Sequence, residues 1–158
     1  MGLTVPGGQA IWTDADFDRM NWHDCAVHAV AFEPALPYPG RLLLDIDYIV
    51  EWISPTPPET GFSFRVSPAT LVFGQAWDVS GDIDLRGFSF ELSLDALERS
   101  GPDAAGAFEW TLAGHEFRLT LHATGFTQYL RSAPILSSAQ RLSTGQRGGL
   151  SFAEQAYG

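Results

Sequence analysis

Arg41-Leu42-Leu43-Leu44-Asp45-Ile46-Asp47-Tyr48-Ile49-Val50-Glu51-Trp52-Ile53 is the stretch that decides the fold. Leu42, Leu44, Ile46, Tyr48, Val50 and Trp52 recur at every second position, while Leu43, Asp45, Asp47, Ile49 and Glu51 fill the alternate phase. A period of two is that of a strand, whose successive side chains point to opposite faces. One apolar face and one half-charged face predict an antiparallel sheet with a core on one side and water on the other.

Outward from this strand, the same period appears over residues 26–32, closed by Glu33-Pro34 and the turn residues near Pro37-Tyr38-Pro39-Gly40. Ser54-Pro55-Thr56-Pro57-Pro58-Glu59 cannot sustain a ladder and reads as a loop. Residues 62–66 and 69–73 are expected as two short strands around Pro68. Residues 77–85 and 88–94 read as a hairpin turning at Arg86-Gly87. Leu94 to Arg99 carries the spacing of one helical turn before the Gly101-Pro102 break. Residues 108–112 and 116–124 read as a second hairpin across Ala113-Gly114-His115, and Gly125 interrupts the run before residues 126–131. Near the N-terminus, residues 13–20 predict a short helical turn capped by Thr13, with Phe17 and Met20 placed to cover a core. The expected organisation is a flexible lead-in over 1–12, one β domain over 13–136 and an irregular C-terminal tail over 137–158, in which Leu150-Ser151-Phe152 docks. The fold class is therefore all-β, an antiparallel sandwich or partly open barrel with a short N-terminal helix.

Composition narrows the function classes. The chain has 158 residues, enough for one well-buried domain. It carries 19 acidic residues against 9 basic ones, all arginine, for a formal charge of −10. That balance disfavours nucleic acid and anionic lipid, whose phosphates need cations to neutralise them. It suits a basic protein partner, or no more than solubility. A single cysteine, Cys25, excludes an intrachain disulfide and fits a reducing cytoplasm. Neither a signal peptide nor a membrane-length apolar run is expected.

Two constellations carry possible chemistry. Asn21-Trp22-His23-Asp24-Cys25-Ala26-Val27-His28 holds the only cysteine and two of the four histidines. Read as a strand, it puts His23 and Cys25 on one face and Asp24 and His28 on the other, too far apart to chelate one ion without help from Asp45 or Asp47. The structural alternative makes Trp22 a core anchor and Cys25 a small buried residue. The second constellation is acidic: Asp45, Asp47 and Glu51 on one strand, with Asp82 and Asp84 beside Asp78 and Ser80 on another. Facing the same way, these would build a solvated binding surface. No metal ligand set, cofactor motif or nucleophile elbow is present, so whether the protein is an enzyme stays open. The Gly145-Gln146-Arg147-Gly148-Gly149 run offers a weak phosphate motif. Trp12, Trp77 and Tyr129 are free of the strand phase and are candidates to line a small-molecule pocket.

The run Phe17-Asp18-Arg19-Met20-Asn21-Trp22-His23-Asp24-Cys25 leading into a long Leu/Ile strand resembles small bacterial β proteins, among them proteins of immunity type. Ser67-Pro68-Ala69-Thr70-Leu71-Val72-Phe73 and Gly125-Phe126-Thr127-Gln128-Tyr129-Leu130 add to the resemblance. It covers about a fifth of the chain and carries over no catalytic residue. What it implies is a cytoplasmic binding protein whose acidic face meets a basic partner such as a toxin domain. The alternative is a metal-assisted or acid–base enzyme using His23, Asp24 and His28 with Asp45 or Asp47. Oligomeric state is not legible.

Overall fold

A computed structural model describes residues 8–35, 37, 39–87 and 92–158. Its strands are β1 (Ile11–Thr13), β2 (Cys25–Glu33), β3 (Gly40–Ile53), β4 (Ser63–Ile83), β5 (Ser93–Ser100), β6 (Phe108–His115), β7 (Phe117–Ala123), β8 (Thr127–Leu130) and β9 (Ile135–Ser137). All their pairings are antiparallel, in the order β1-β8-β4-β3-β2-β5-β6-β7, and β7 pairs again with β4 so that the sheet closes on itself. The all-β reading holds. A 3-10 helix covers Asp14–Arg19 and a four-residue helix, α1, covers Thr144–Arg147. Among the described residues no helix is long and apolar enough to cross a membrane. Of the expected lead-in, residues 1–7 lie outside the described residues, and Ile11–Thr13 pairs with β8.

β4 organises the sheet. One edge runs along β3 from Ser63 to Ala76, and the other meets β9, β8 and β7 in succession. The two short strands expected around Pro68, and the one after them, are therefore one continuous strand. Pro68 is tolerated because its carbonyl accepts from Arg131 N on the outer edge, so the missing N–H falls on that edge too. There it meets the gap between β9, which ends opposite Val66, and β8, which begins opposite Ala69.

Two local expectations are corrected. The Arg86-Gly87 signal does not join a hairpin: the end of β4 pairs with β7, whereas β5 pairs with β2 and β6. Leu85–Gly87 forms a 3-10 turn held by Asp84, whose carboxylate accepts from Arg86 N at 2.9 Å; residues 88–91 of the expected partner strand lie outside the described residues. Leu94 to Arg99 is strand, not helix. Its three-residue spacing of Leu94 and Leu97 comes from a bulge between Leu94 and Ala96, where an extra residue lets both leucines face inward.

The core fills the closed sheet. Leu42, Leu44, Ile46, Leu71, Phe73, Trp110, Leu112 and Leu121 are all buried within it. Trp110 stands at its centre, with the rings of Phe17, Phe73 and Phe126 at 5.6, 5.6 and 5.5 Å. Phe17 arrives on the 3-10 helix, whose start is fixed by a capping box: Ala15 N donates to Thr13 Oγ1 and Thr13 N donates to Asp16. The expected cover over the core is present in Phe17 and Met20, both packed against it.

The segment after β9 crosses the outer side of the sheet. Leu142 is buried, Thr70 Oγ1 donates to Ala153 O at 2.8 Å, and Tyr157 N donates to Leu130 O at 2.9 Å. Leu150 stays 67% exposed, so docking there is through the Ser151 backbone rather than through leucine packing.

Candidate functional site

Asp45 and Asp47 were expected on a wet face, and both are fully buried. The reason lies about a hundred residues away in sequence. Arg147 donates to Asp45 through Nη2 at 2.6 Å and Nη1 at 3.0 Å, and to Asp47 through Nε at 3.0 Å. Arg131 adds a bond to Asp45 at 2.7 Å, and the backbone N–H groups of Ser151 and Leu142 reach Asp45 and Asp47 at 3.0 and 2.8 Å. Burial pushes the Asp45 carboxyl up. Hydrogen bonds from Arg147, Ser151 N and Arg131, with the Arg131 charge, outweigh it and hold the carboxyl below its ordinary value. Arg147 is thereby spent inside the molecule, which corrects the phosphate reading of its glycine-rich run.

The Trp22 to His28 segment does not run as a strand from its start. Asp24 has φ 62°, Cys25 N closes a turn onto Trp22 O, and β2 begins only at Cys25. The turn divides the candidates. His23 projects outward against Trp52, ring centroids 6.0 Å apart, and lies 3.3 Å from the Asp24 carboxylate, which also accepts from Gln140 at 3.0 Å. His28, at a bulge in β2, points instead to Asp47, with Nε2 to Oδ2 at 2.7 Å. Trp22 is the expected anchor: it is buried and donates to Gln128 Oε1 at 2.9 Å. The structure thus joins His28 to Asp47 and leaves His23 and Asp24 as a separate pair. Among the described residues no group of three or more His, Cys, Asp or Glu side chains is arranged to hold a metal ion.

Cys25 is fully enclosed, and burial first, with the charges of Asp47 and Asp24, pushes its thiol up to about 12 despite a backbone hydrogen bond from Ile49. The native protein is expected to leave a thiol-specific disulfide reagent unreacted at neutral pH and to consume one equivalent on unfolding in urea; rapid reaction of the folded chain would contradict the enclosure.

The other predicted binding residues separate as well. Glu51 is capped by Arg65 at 3.1 Å, and Asp84 is held below its ordinary value by Arg86, through the side-chain bond first and then the backbone N–H. Asp82 lies on a different surface, the outer face of β5, β6, β7 and the end of β4. Cross-strand register lines up Ser100, Glu109, His122 and Trp77 in one row, Glu98, Thr111, Thr120 and Ser80 in the next, and Ala96, Ala113, Arg118 and Asp82 in a third. Asp78, in the left-handed region at a bulge in β4, joins the first row. His122 stacks on Trp77 at 5.9 Å and 17°, with Asp78 and Glu109 each 3.7 Å from one of its ring nitrogens. Asp78, Asp82, Glu98 and Glu109 are exposed against one arginine, Arg118. Glu98 and Glu109 escaped the sequence reading because only the β5–β6–β7 register brings them beside Asp82. Of the expected pocket aromatics, Tyr129 lines a cavity of about 510 Å³ with Arg41, Gln75 and Thr127, and Trp12 is buried.

No family model, curated protein or solved structure matches the chain.

Proposed function

We propose that this is a cytoplasmic binding protein that meets a basic protein partner on the outer face of β5, β6, β7 and the end of β4. The observation that carries this reading is the three-row register, which sets Asp78 and Glu109 beside the Trp77–His122 stack and Glu98 and Asp82 in the two rows that follow on the same face. A large aromatic beside charged groups combines two contributions to binding: the aromatic supplies affinity and the charges supply orientation and association rate.

The enzyme reading draws on the contact of His28 with Asp47, yet both groups are already engaged. Asp47 accepts from Arg147 and Leu142 N, and the second His28 nitrogen faces Arg141 at 3.4 Å. A general base needs a free nitrogen aimed at its substrate, so binding is the better-supported class.

Calorimetric titration with a short arginine-rich peptide tests the face. The triple variant Asp82→Lys, Glu98→Lys, Glu109→Lys is expected to weaken binding at least about tenfold, the equivalent of about 1.4 kcal/mol. Asp18→Lys, Glu33→Lys, Glu59→Lys changes the net charge equally at other exposed positions and is expected to leave the affinity nearly intact. Equal losses in the two triples would mean that only total charge matters and would defeat the proposal.

A further inference from the structure

The segment that covers Asp45 and Asp47 also builds a pocket of about 460 Å³, lined by His28, Ser138, Arg141, Ser143, Thr144 and Gln146 among others. That volume is in the range of small-molecule sites. In a chain of net charge −10, no described residue lining this pocket is a carboxylate.

Arg141 stands apart from the other arginines. Arg19, Arg41, Arg65, Arg86, Arg131 and Arg147 are each paired with a carboxylate, and Arg99 lies over the rings of Phe17, Phe108 and Trp110. Arg118 sits opposite Asp82. Among the described residues Arg141 has one polar contact, Nη2 to His28 Nδ1 at 3.4 Å, and its Nη1 is buried without a partner. A guanidinium only donates, so His28 Nδ1 accepts and His28 Nε2–H is directed to Asp47. The two aspartates below are matched by Arg131 and Arg147, which leaves the Arg141 charge in surplus.

The rest of the lining adds hydrogen-bond donors. In the capping box of α1, Ser143 N donates to Gln146 Oε1 at 2.9 Å and Gln146 N donates to Ser143 Oγ at 3.2 Å. Each side-chain oxygen gives one of its lone pairs to the cap, and the donors, the Ser143 hydroxyl proton and the Gln146 amide protons, remain for another group. Ser138 adds an exposed hydroxyl. A guanidinium with no carboxylate partner among the described residues, beside several free donors, is complementary to an anion that accepts from several directions at once.

We propose that this pocket binds a phosphoryl oxyanion, with Arg141 as its charge partner and Ser138, Ser143 and Gln146 as hydrogen-bond donors. Two sources share this chemistry, inorganic phosphate and the phosphate group of a small phosphomonoester.

Histidine-labelled full-length protein, titrated separately with inorganic phosphate and with glycerol phosphate at fixed pH and ionic strength, tests the site by nuclear magnetic resonance. The His28 ring signals are expected to move saturably, because Arg141 bonds to that ring, while those of His115 stay in place. Saturation by phosphate alone assigns the free ion. Tighter saturation by glycerol phosphate assigns the ester, and either result supports the site. Arg141→Gln is expected to abolish the movement, and Ser138→Ala, an exposed change that leaves the fold undisturbed, to weaken it measurably. No movement of His28 with either probe would overturn the proposal whatever the variants do, as would an undiminished response in a folded Arg141→Gln protein.

Discussion

Asp45→Ala is expected to destabilise the protein by about 3–5 kcal/mol, because removing one member of a buried charge network leaves the others enclosed and unpaired. Asp45 accepts from Arg147, Arg131 and Ser151 N, and neither arginine has an exposed alternative: their side chains are 2% and 10% accessible. A fall in the urea midpoint at unchanged slope is the measurement. Increased proteolysis within residues 137–158 is expected alongside it, since the network pins that segment to β3. Glu51→Ala provides the contrast: its partner Arg65 is 46% exposed and can return to water, so about 0–1 kcal/mol is expected. A loss at Asp45 no larger than at Glu51 would show that the network does not hold the segment.

The same network sets an acid limit. The Asp45 carboxyl is held below its ordinary value of about 3.9, so its contribution is complete above that pH and disappears as pH falls through the lower folded value. The wild-type protein should therefore lose stability steeply below about pH 4, and Asp45→Ala should show a shallower acid slope.

Trp110→Ala is expected to cost about 3–5 kcal/mol, the range for truncating a large aromatic residue in a closed core. Trp110 is fully buried and donates to Ala123 O at 3.0 Å, and its ring supports Phe17, Phe73, Phe108 and Phe126. Those neighbours come from the 3-10 helix, β4, β6 and the β7–β8 connection, so no single element can move to fill the void. Urea unfolding measures the cost, and faster amide hydrogen exchange over residues 14–19 would report that Phe17 and its helix have come away. Trp52, 38% exposed at the end of β3, should tolerate the same truncation at markedly lower cost.

What could be read from the chain was what local chemistry decides. The period-two pattern of residues 41–53 fixed a strand because pleating alternates side chains whatever lies on either side. Thr13 announced its cap, and the β6–β7 hairpin was legible although its tight turn falls at His115-Glu116 rather than across Ala113-Gly114-His115, which belong to β6; both are short-range hydrogen-bond problems. Local pattern misleads where two distant segments compete. Leu94 and Leu97 imitate a helix because a bulge adds a residue, and Pro68 imitates a break because its missing N–H happens to meet a gap between partners.

The half-charged phase of β3 shows the division most plainly. Its sequence establishes that Asp45 and Asp47 leave the strand on the side away from Leu44 and Ile46. Whether that side meets water or protein depends on where Arg131 and Arg147 come to rest, and no pattern local to residues 41–53 encodes it. The sequence by itself determined an acidic, antiparallel all-β protein. Tertiary structure alone decided that its most conspicuous acids are internal, that the acidic face is the one carrying Asp82, Glu98 and Glu109, and that Arg141 is left without a carboxylate among the described residues. Strand periodicity is a property of neighbouring residues; charge compensation is a property of whichever residues the closed sheet brings within a few ångströms.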